Sequence, residues 1–515
     1  MTDNRYIDTR GASEQPVPFT QAVIDGLATG GGLYVPVSVP QLTVQEICDL
    51  AKLPYARRAQ FIYQAFDVDL TDEQLKRITD GAYGSQFDTP DICPVTPLGD
   101  GLFMLELWHG PTSAFKDMAL QCLPRFFSES AAVLRERGTL DDTHMILVAT
   151  SGDTGKAALE GFCNVDGVSI GVMYPDGGVS DIQFKQMATQ RGNNVVVWGV
   201  RGNFDDCQTG AKNVFNDVEF AHDLHEQFHI ALSSANSINW GRLMPQIVYY
   251  ISAYAQLASS GAIEQGSPID VCVPTGNFGN ILAAYYARCM GTPIRRLLCA
   301  SNENRVLTDF INTGVYDISD RTFVKTPSPS MDILVSSNLE RQLFELTGRD
   351  PERIRAWMSD LRERKGFEVD ADTFSKMKAL YVAGSVDNET CLATIKAVFE
   401  ERNYLMDPHT AVAYKVAETL RDPETPVVIA STAHWAKFGN NVYRALHGIS
   451  LADSLPSEID SLTGCALNRL IADETGASSV PSGLAELDDL PIRFTDVIDP
   501  TSDAIKDAVR SFLAS

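Results

Sequence analysis

Lys116 lies within HGPTSAFKDMA (109–119), between small residues and the apolar Phe115 and Met118. A lysine in a half-apolar pocket loses hydration, which lowers its pKa and makes the neutral amine a nucleophile toward a carbonyl. That is the requirement for a Schiff base. Taken alone, the stretch also describes a solvated lysine at a turn, the commoner situation. TSGDTGKAA (150–158) follows the strand-like MILVA and opens a helix. Its Ser151, Thr154 and the backbone N–H groups of Gly152 and Gly155 suit an anion such as a carboxylate. It is not a Walker loop, because only Asp153 and Thr154 separate the two glycines and Ala157 follows Lys156. PTGNFGN (274–280) also follows a strand and precedes a helix, and its glycines permit close backbone approach to a phosphate. ASTAHWAKF (430–438) offers Ser431 and Thr432 as hydroxyls at a strand end, or simply as a helix cap. Residues 225–229, HEQFH, match the zinc-binding HExxH pattern. However, His229 begins a strand-like run, so the helix ends between the two histidines and no metal site is expected.

These loops need a scaffold that delivers them to one place. Strands are expected at 145–149, 169–174, 194–200, 270–274, 296–300 and 427–431. Helices are expected at 155–162, 181–190 and 281–289, with one long helix from about 205 to 227. Strands spaced by helices imply parallel sheet covered on both faces, with ligands at the C-terminal strand ends. Residues 1–90 do not alternate in this way. Helical patterns near 20–28, 43–52 and 56–66 mark a separate, mostly helical region. Beyond 445 the chain is polar, with one helix expected near 502–513 and a surface excursion at 475–490.

Composition bounds the partners. The 515 residues suggest roughly three domains. With 42 Lys plus Arg against 67 Asp plus Glu, the net charge of -25 disfavours nucleic acid and anionic membrane surfaces. No apolar run approaches the roughly 18 residues of a membrane span, and the N-terminus has no signal-like apolar stretch, so a cytoplasmic protein is expected. The ten cysteines include no CxxC pair and read as small buried hydrophobes.

Together with RYIDTRG (5–11), ATGGGLYVP (28–36), FDDCQ (204–208) and SANSINWGR (234–242), the four loops resemble the threonine synthase family of pyridoxal-phosphate enzymes. The resemblance implies fold type II, an α/β fold like that of the tryptophan synthase β chain. It has two three-layer lobes with parallel-rich sheets, plus a mostly helical N-terminal domain. The implied division is 1–90 for that domain, 91–144 and 230–445 for a large cofactor lobe, 145–229 for a small lobe, and 446–515 for a C-terminal segment on the large lobe. The implied cofactor is pyridoxal 5'-phosphate, bonded by Lys116. Gly276, Asn277, Phe278 and Asn280 would hold its phosphate, Thr432 would face the pyridine nitrogen, and Asp153 would lie near its 3-hydroxyl. Ser151, Gly152 and Thr154 would meet the substrate carboxylate, and Ser237, Asn239 and Arg242 the substrate phosphate. Trp435 stands where the family commonly has proline, and Gly30 where it commonly has aspartate. The implied reaction converts O-phospho-L-homoserine and water into L-threonine and phosphate, by a monomer or homodimer. A phospho-lyase or dehydratase releasing a 2-oxo acid is the alternative within the same chemistry. A non-catalytic binding protein is a third reading, disfavoured because it has no use for a buried amine that is costly to desolvate.

Overall fold

The computed structural model describes residues 5–477 and 479–514. Its large sheet has six strands, in the spatial order Tyr381–Ser385, Ile294–Ser301, Ile269–Pro274, Val427–Ser431, Leu102–Glu106 and Val95–Gly99. All neighbours are parallel except the last pair, which is antiparallel. Successive side chains enter different apolar layers, as the strand period of two requires. Val271 and Val273 join the main core, whereas Cys272 joins a second layer with Leu298, Ile429 and the helix Pro408–Leu420. Burial on both faces explains why these strands read as continuous apolar runs.

The smaller sheet is wholly parallel, ordered Val497–Ile498, Val195–Val200, Val168–Pro175, Thr143–Ala149 and Ile230–Ser233. Residues 230–233 therefore complete the small sheet, although the expected boundary assigned them to the large lobe. The expected long helix at 205–227 is two helices, Phe204–Phe215 and Val218–Phe228. Asn216 closes the first, and Asp217 caps the second by accepting the Phe220 N–H at 2.9 Å. An acidic side chain bonding the backbone locally outweighs continued helical periodicity there.

The N-terminal region has the helices Phe19–Asp25, Val44–Asp49, Tyr55–Ala65 and Asp72–Ala82. It also holds a small antiparallel sheet of Arg5–Asp8, Val17–Pro18 and Tyr34–Pro36. Tyr6 and Phe66 lock it onto Trp240, with ring centroids 5.8 and 6.0 Å away.

The C-terminal segment departs most from expectation. It spans both lobes rather than lying on the large one. Gly464–Thr475 packs on the large-lobe helix Gly439–His447 and also on Asp181–Ala188 of the small lobe. Val497–Ile498 extends the small sheet, and Ser502–Leu513 covers Phe204–Phe215. The expected surface excursion at 475–490 is anchored by Leu484 and Leu487, both buried beside Ile182, Trp435 and Cys465. Among the described residues, no helix is long and apolar enough to cross a membrane.

Candidate functional site

Lys116 is delivered by a loop stapled to the end of a neighbouring strand. The Phe115 N–H donates to the Thr432 carbonyl at 2.8 Å, and the His434 N–H to the Ser113 carbonyl at 3.1 Å. Lys116 itself is buried and stands just before the short helix Asp117–Leu120. Its Nζ donates to Ser330 Oγ at 3.0 Å and to Asp153 Oδ2 at 3.5 Å. The amine's pKa is lowered from 10.5 to about 8, with burial the largest cause. Asp153 opposes the shift, and Arg242 and Lys437 add to it. An amine of that kind is partly neutral near pH 7, as attack on a carbonyl requires.

Asp153 opens the helix Asp153–Phe162 two residues earlier than expected. Its Oδ1 accepts from Gln183 Nε2 at 3.0 Å and pairs with Lys437 Nζ at 3.0 Å, while Ser330 Oγ donates to Oδ2 at 3.2 Å. The carboxyl is held well below the usual range: burial opposes ionisation, but Lys437 and Lys116 outweigh it. Lys437 is fully buried and its other acceptor is the Thr112 carbonyl, 2.8 Å away. Behind Ser330, its N–H donates to His409 Nε2 at 3.1 Å, and His409 Nδ1 lies 2.5 Å from Asp407 Oδ2.

The loop at 276–280 approaches the same place. A Cβ on Gly276 would lie 2.7 Å from the Ser330 carbonyl oxygen, so only glycine fits. Phe278 adopts the left-handed region at φ 65° and buries its ring beside Tyr381, so it serves the loop through its backbone. Among the described residues, none of the N–H groups of 276–280 donates to a protein acceptor. They converge at the start of the helix Gly279–Cys289, where the helix dipole favours an anion. Asn280 Oδ1 accepts from Tyr249 and Tyr250 at 2.6 and 2.5 Å, yet its buried Nδ2 has no partner. Free amides, an orphaned side-chain donor and a glycine-only approach fit a phosphorylated cofactor.

Arg242 is buried in the helix Trp240–Ser259 and donates to the Ala235 carbonyl at 2.8 Å. Burial alone pushes it down to about 10, which leaves it a cation at neutral pH, and among the described residues no carboxylate forms an ion pair with it. A buried cation left without an anion is costly unless a ligand supplies one. Ser237 joins this neighbourhood through Ser337, which bonds both Ser237 Oγ at 3.3 Å and Asn277 Oδ1 at 3.2 Å.

Two groups of the expected site have protein partners. Asn239, expected at the substrate phosphate, caps the helix by accepting the Gly241 N–H on Oδ1 at 2.9 Å, and its Nδ2 donates to the Val23 carbonyl at 2.9 Å. The Gly152 and Gly155 N–H groups are also spent, both on Thr150 Oγ1, at 3.0 and 2.9 Å. Ser151 and Thr154 flank that turn, half-buried. Thr432 is buried, its N–H directed to Thr410 Oγ1 at 3.3 Å. His225 pairs with Asp142 at 2.9 Å, the helix stops at Phe228, and His229 turns left-handed. Among the described residues, no cluster of His, Cys, Asp or Glu is placed to hold a metal ion.

Sequence reasoning missed Lys437, Ser330, Asp407 and His409. Lys437 had a signal, as a lysine inside an otherwise apolar strand-end loop. Ser330 had none.

The comparisons with known proteins agree with this geometry. Residues 5–83 match the family model for the threonine synthase N terminus, 95–432 that for pyridoxal-phosphate dependent enzymes, and 410–509 that for the threonine synthase C-terminal region. Threonine synthase from Pseudomonas aeruginosa is 39% identical over 460 residues, covering 89% of this chain and 93% of its own. Threonine synthase-like 1 from Homo sapiens is 44% identical over 436 residues, or 83% of this chain. The match spans only 58% of that longer protein. The crystal structure of pyridoxal-phosphate-bound threonine synthase from Brucella melitensis superposes with a TM-score of 0.85 at 35% identity, covering 100% of both chains.

Proposed function

The chain belongs to the threonine synthase family of pyridoxal-phosphate-dependent enzymes, and from that premise we propose that it converts O-phospho-L-homoserine and water into L-threonine and phosphate. The observation that supports this substrate is Arg242, a buried guanidinium without a carboxylate, within electrostatic reach of Lys116. A dehydratase acting on serine or threonine would not need it.

Lys116 would bond the cofactor, the amides of 276–280 with Asn280 Nδ2 would hold its phosphate, and Thr432 would offer a hydroxyl to the ring nitrogen. Pyridoxal phosphate supplies an aldehyde that captures an amine and a ring that accepts electron density from the substrate's Cα. The protein's own part is binding and proton transfer. Arg242, with Ser237 beside it, binds the substrate phosphate, and a planar guanidinium can do so through two hydrogen bonds. Lys116 takes the proton from Cα and carries the proton lost from Cβ. With its pKa near 8, it can both accept and return a proton near neutral pH. Phosphate then leaves Cγ, which takes up a proton to become the methyl group, water adds its hydroxyl at Cβ, and Cα regains a proton.

The test is product analysis on O-phospho-L-homoserine with the cofactor-loaded protein, quantifying phosphate, threonine and 2-oxobutyrate together. Equal phosphate and threonine are expected. Phosphate with 2-oxobutyrate and little threonine would make the protein a phospho-lyase that does not hydrate its intermediate. No phosphate release would remove the substrate assignment.

A further inference from the structure

Two lysines share one buried carboxylate in this site, and they share it unequally. Asp153 Oδ1 faces Lys437 Nζ at 3.0 Å, whereas Oδ2 faces Lys116 Nζ at 3.5 Å. Gln183 fixes the first oxygen, and Ser330 stands between the second and Lys116. Lys437 has no exposed surface, and its Nζ is held between Asp153 Oδ1 and the Thr112 carbonyl at 2.8 Å. We infer that Lys437 is a positioning residue for the reacting amine: it occupies the Asp153 carboxylate and so leaves Lys116 free to act as a neutral nucleophile. This rests on the assignment of Lys116 to the cofactor.

A carboxylate beside the reacting lysine would, by itself, hold that lysine as an ammonium. An ammonium has no lone pair with which to attack an aldehyde. Every charged group facing Lys116 bears on the outcome. Asp153 favours the ammonium, while Arg242 from the helix Trp240–Ser259 and Lys437 from the 431–438 loop oppose it. Asp117, next in the chain, turns away and spends its oxygens on the N–H and hydroxyl of Thr112. His409 lies behind Ser330 and acts on Asp153. Three cations and one carboxylate in a dry pocket favour the release of one proton. Of the two lysines on the shared carboxylate, Lys116 has the longer contact, 3.5 Å against 3.0 Å, and is opposed by both Arg242 and Lys437, so it is the one that gives up its proton more easily.

The consequence can be read without turnover. Protein stripped of cofactor is mixed with pyridoxal phosphate at a series of pH values, and the visible absorbance of the lysine-linked cofactor is followed. In the wild type the capture rate should rise with pH and level off above about 8. In Lys437→Gln, Asp153 has only Lys116 to pair with. The midpoint should move up by about one unit or more, slowing capture at pH 7 by about tenfold, since one unit is a factor of ten. Lys437→Arg keeps the charge and should restore much of the wild-type profile. Asp153→Asn should move the midpoint in the opposite direction, below the wild type, and Lys437→Met makes the same test of Lys437 if Lys437→Gln does not fold. A Lys437→Gln profile that is lower at every pH but has the wild-type midpoint would overturn the inference, leaving Lys437 a packing residue. An unmoved or raised midpoint in Asp153→Asn would overturn it too. Wild-type protein that never develops the absorbance would instead overturn the cofactor assignment of Lys116.

Discussion

Two glycine-bearing strand-to-helix turns border the site, and they treat their amides in opposite ways. At 150–155 the N–H groups of Gly152 and Gly155 are satisfied internally by Thr150 Oγ1, and the helix start is occupied by the carboxylate-bearing Asp153. At 276–280 the N–H groups have no protein acceptor among the described residues, and no acidic side chain stands in the first turn of the helix that follows. The first turn is a closed structural device that presents Asp153 to two lysines. The second is an open cradle. Similar glycine spacing therefore yields two functions, and the difference lies in what the threonine before each turn does: Thr150 Oγ1 accepts from both glycine amides, whereas Thr275 Oγ1 donates back to the Val273 carbonyl at 2.8 Å.

The largest predicted effect lies where the two turns meet. Lys116→Ala should abolish both turnover and the visible absorbance of the bound cofactor, and a variant that still turned over normally would remove Lys116 from the chemistry. Arg242→Ala should cost about 2–5 kcal/mol in kcat/KM for O-phospho-L-homoserine, the range for losing a buried charged hydrogen bond. Lost cofactor affinity with unchanged substrate affinity would move Arg242 from the substrate to the cofactor. Gly276→Ala should weaken cofactor binding by about 1–3 kcal/mol, because the added methyl meets the Ser330 carbonyl and the loop must shift. Fluorescence titration of stripped protein reads that directly. Thr150→Val should cost about 1–2 kcal/mol of stability in urea unfolding, by removing the shared acceptor of two buried N–H groups. It should change cofactor affinity less than Gly276→Ala does. The reverse order would erase the distinction between the closed and open turns.

Much of the scaffold was legible in the sequence because central parallel strands are short apolar runs that end in glycine-rich turns. The strand Val427–Ser431 and the loop after it are an example. Other elements left no such trace. The helix Trp240–Ser259 is buried on nearly every side, so it shows no amphipathic stripe to distinguish it from other apolar chain. Tyr381–Ser385 contains a glycine and lies at a sheet edge, where strand patterning is weak. In the site, the identities of Lys116 and the 276–280 loop could be read from local context. What the turns do with their amides could not, because a hydrogen bond from Gly155 to Thr150 looks no different in sequence from a free donor. Asn239 carries the same ambiguity. An asparagine before a helix can cap it or face a ligand, and only the position of the Val23 carbonyl decides. Ser330 reaches the site from a loop far along the chain and carries no motif of its own.

The late strand Val497–Ile498 gives the molecule a timetable. It borders Val195–Val200, and Ser502–Leu513 buries Ile505 and Val509 against the same small-lobe layer as Cys207 and Val214. A ribosome adds the intervening stretch of roughly 300 residues at about 5–20 per second, so that edge and that apolar face wait on the order of 15–60 s for their cover. During this interval the nascent small lobe presents an unpaired strand edge beside exposed hydrophobic side chains, the combination most prone to wrong partners. Yield of soluble protein should therefore depend on chaperone supply during synthesis more steeply than the stability of the finished chain would suggest.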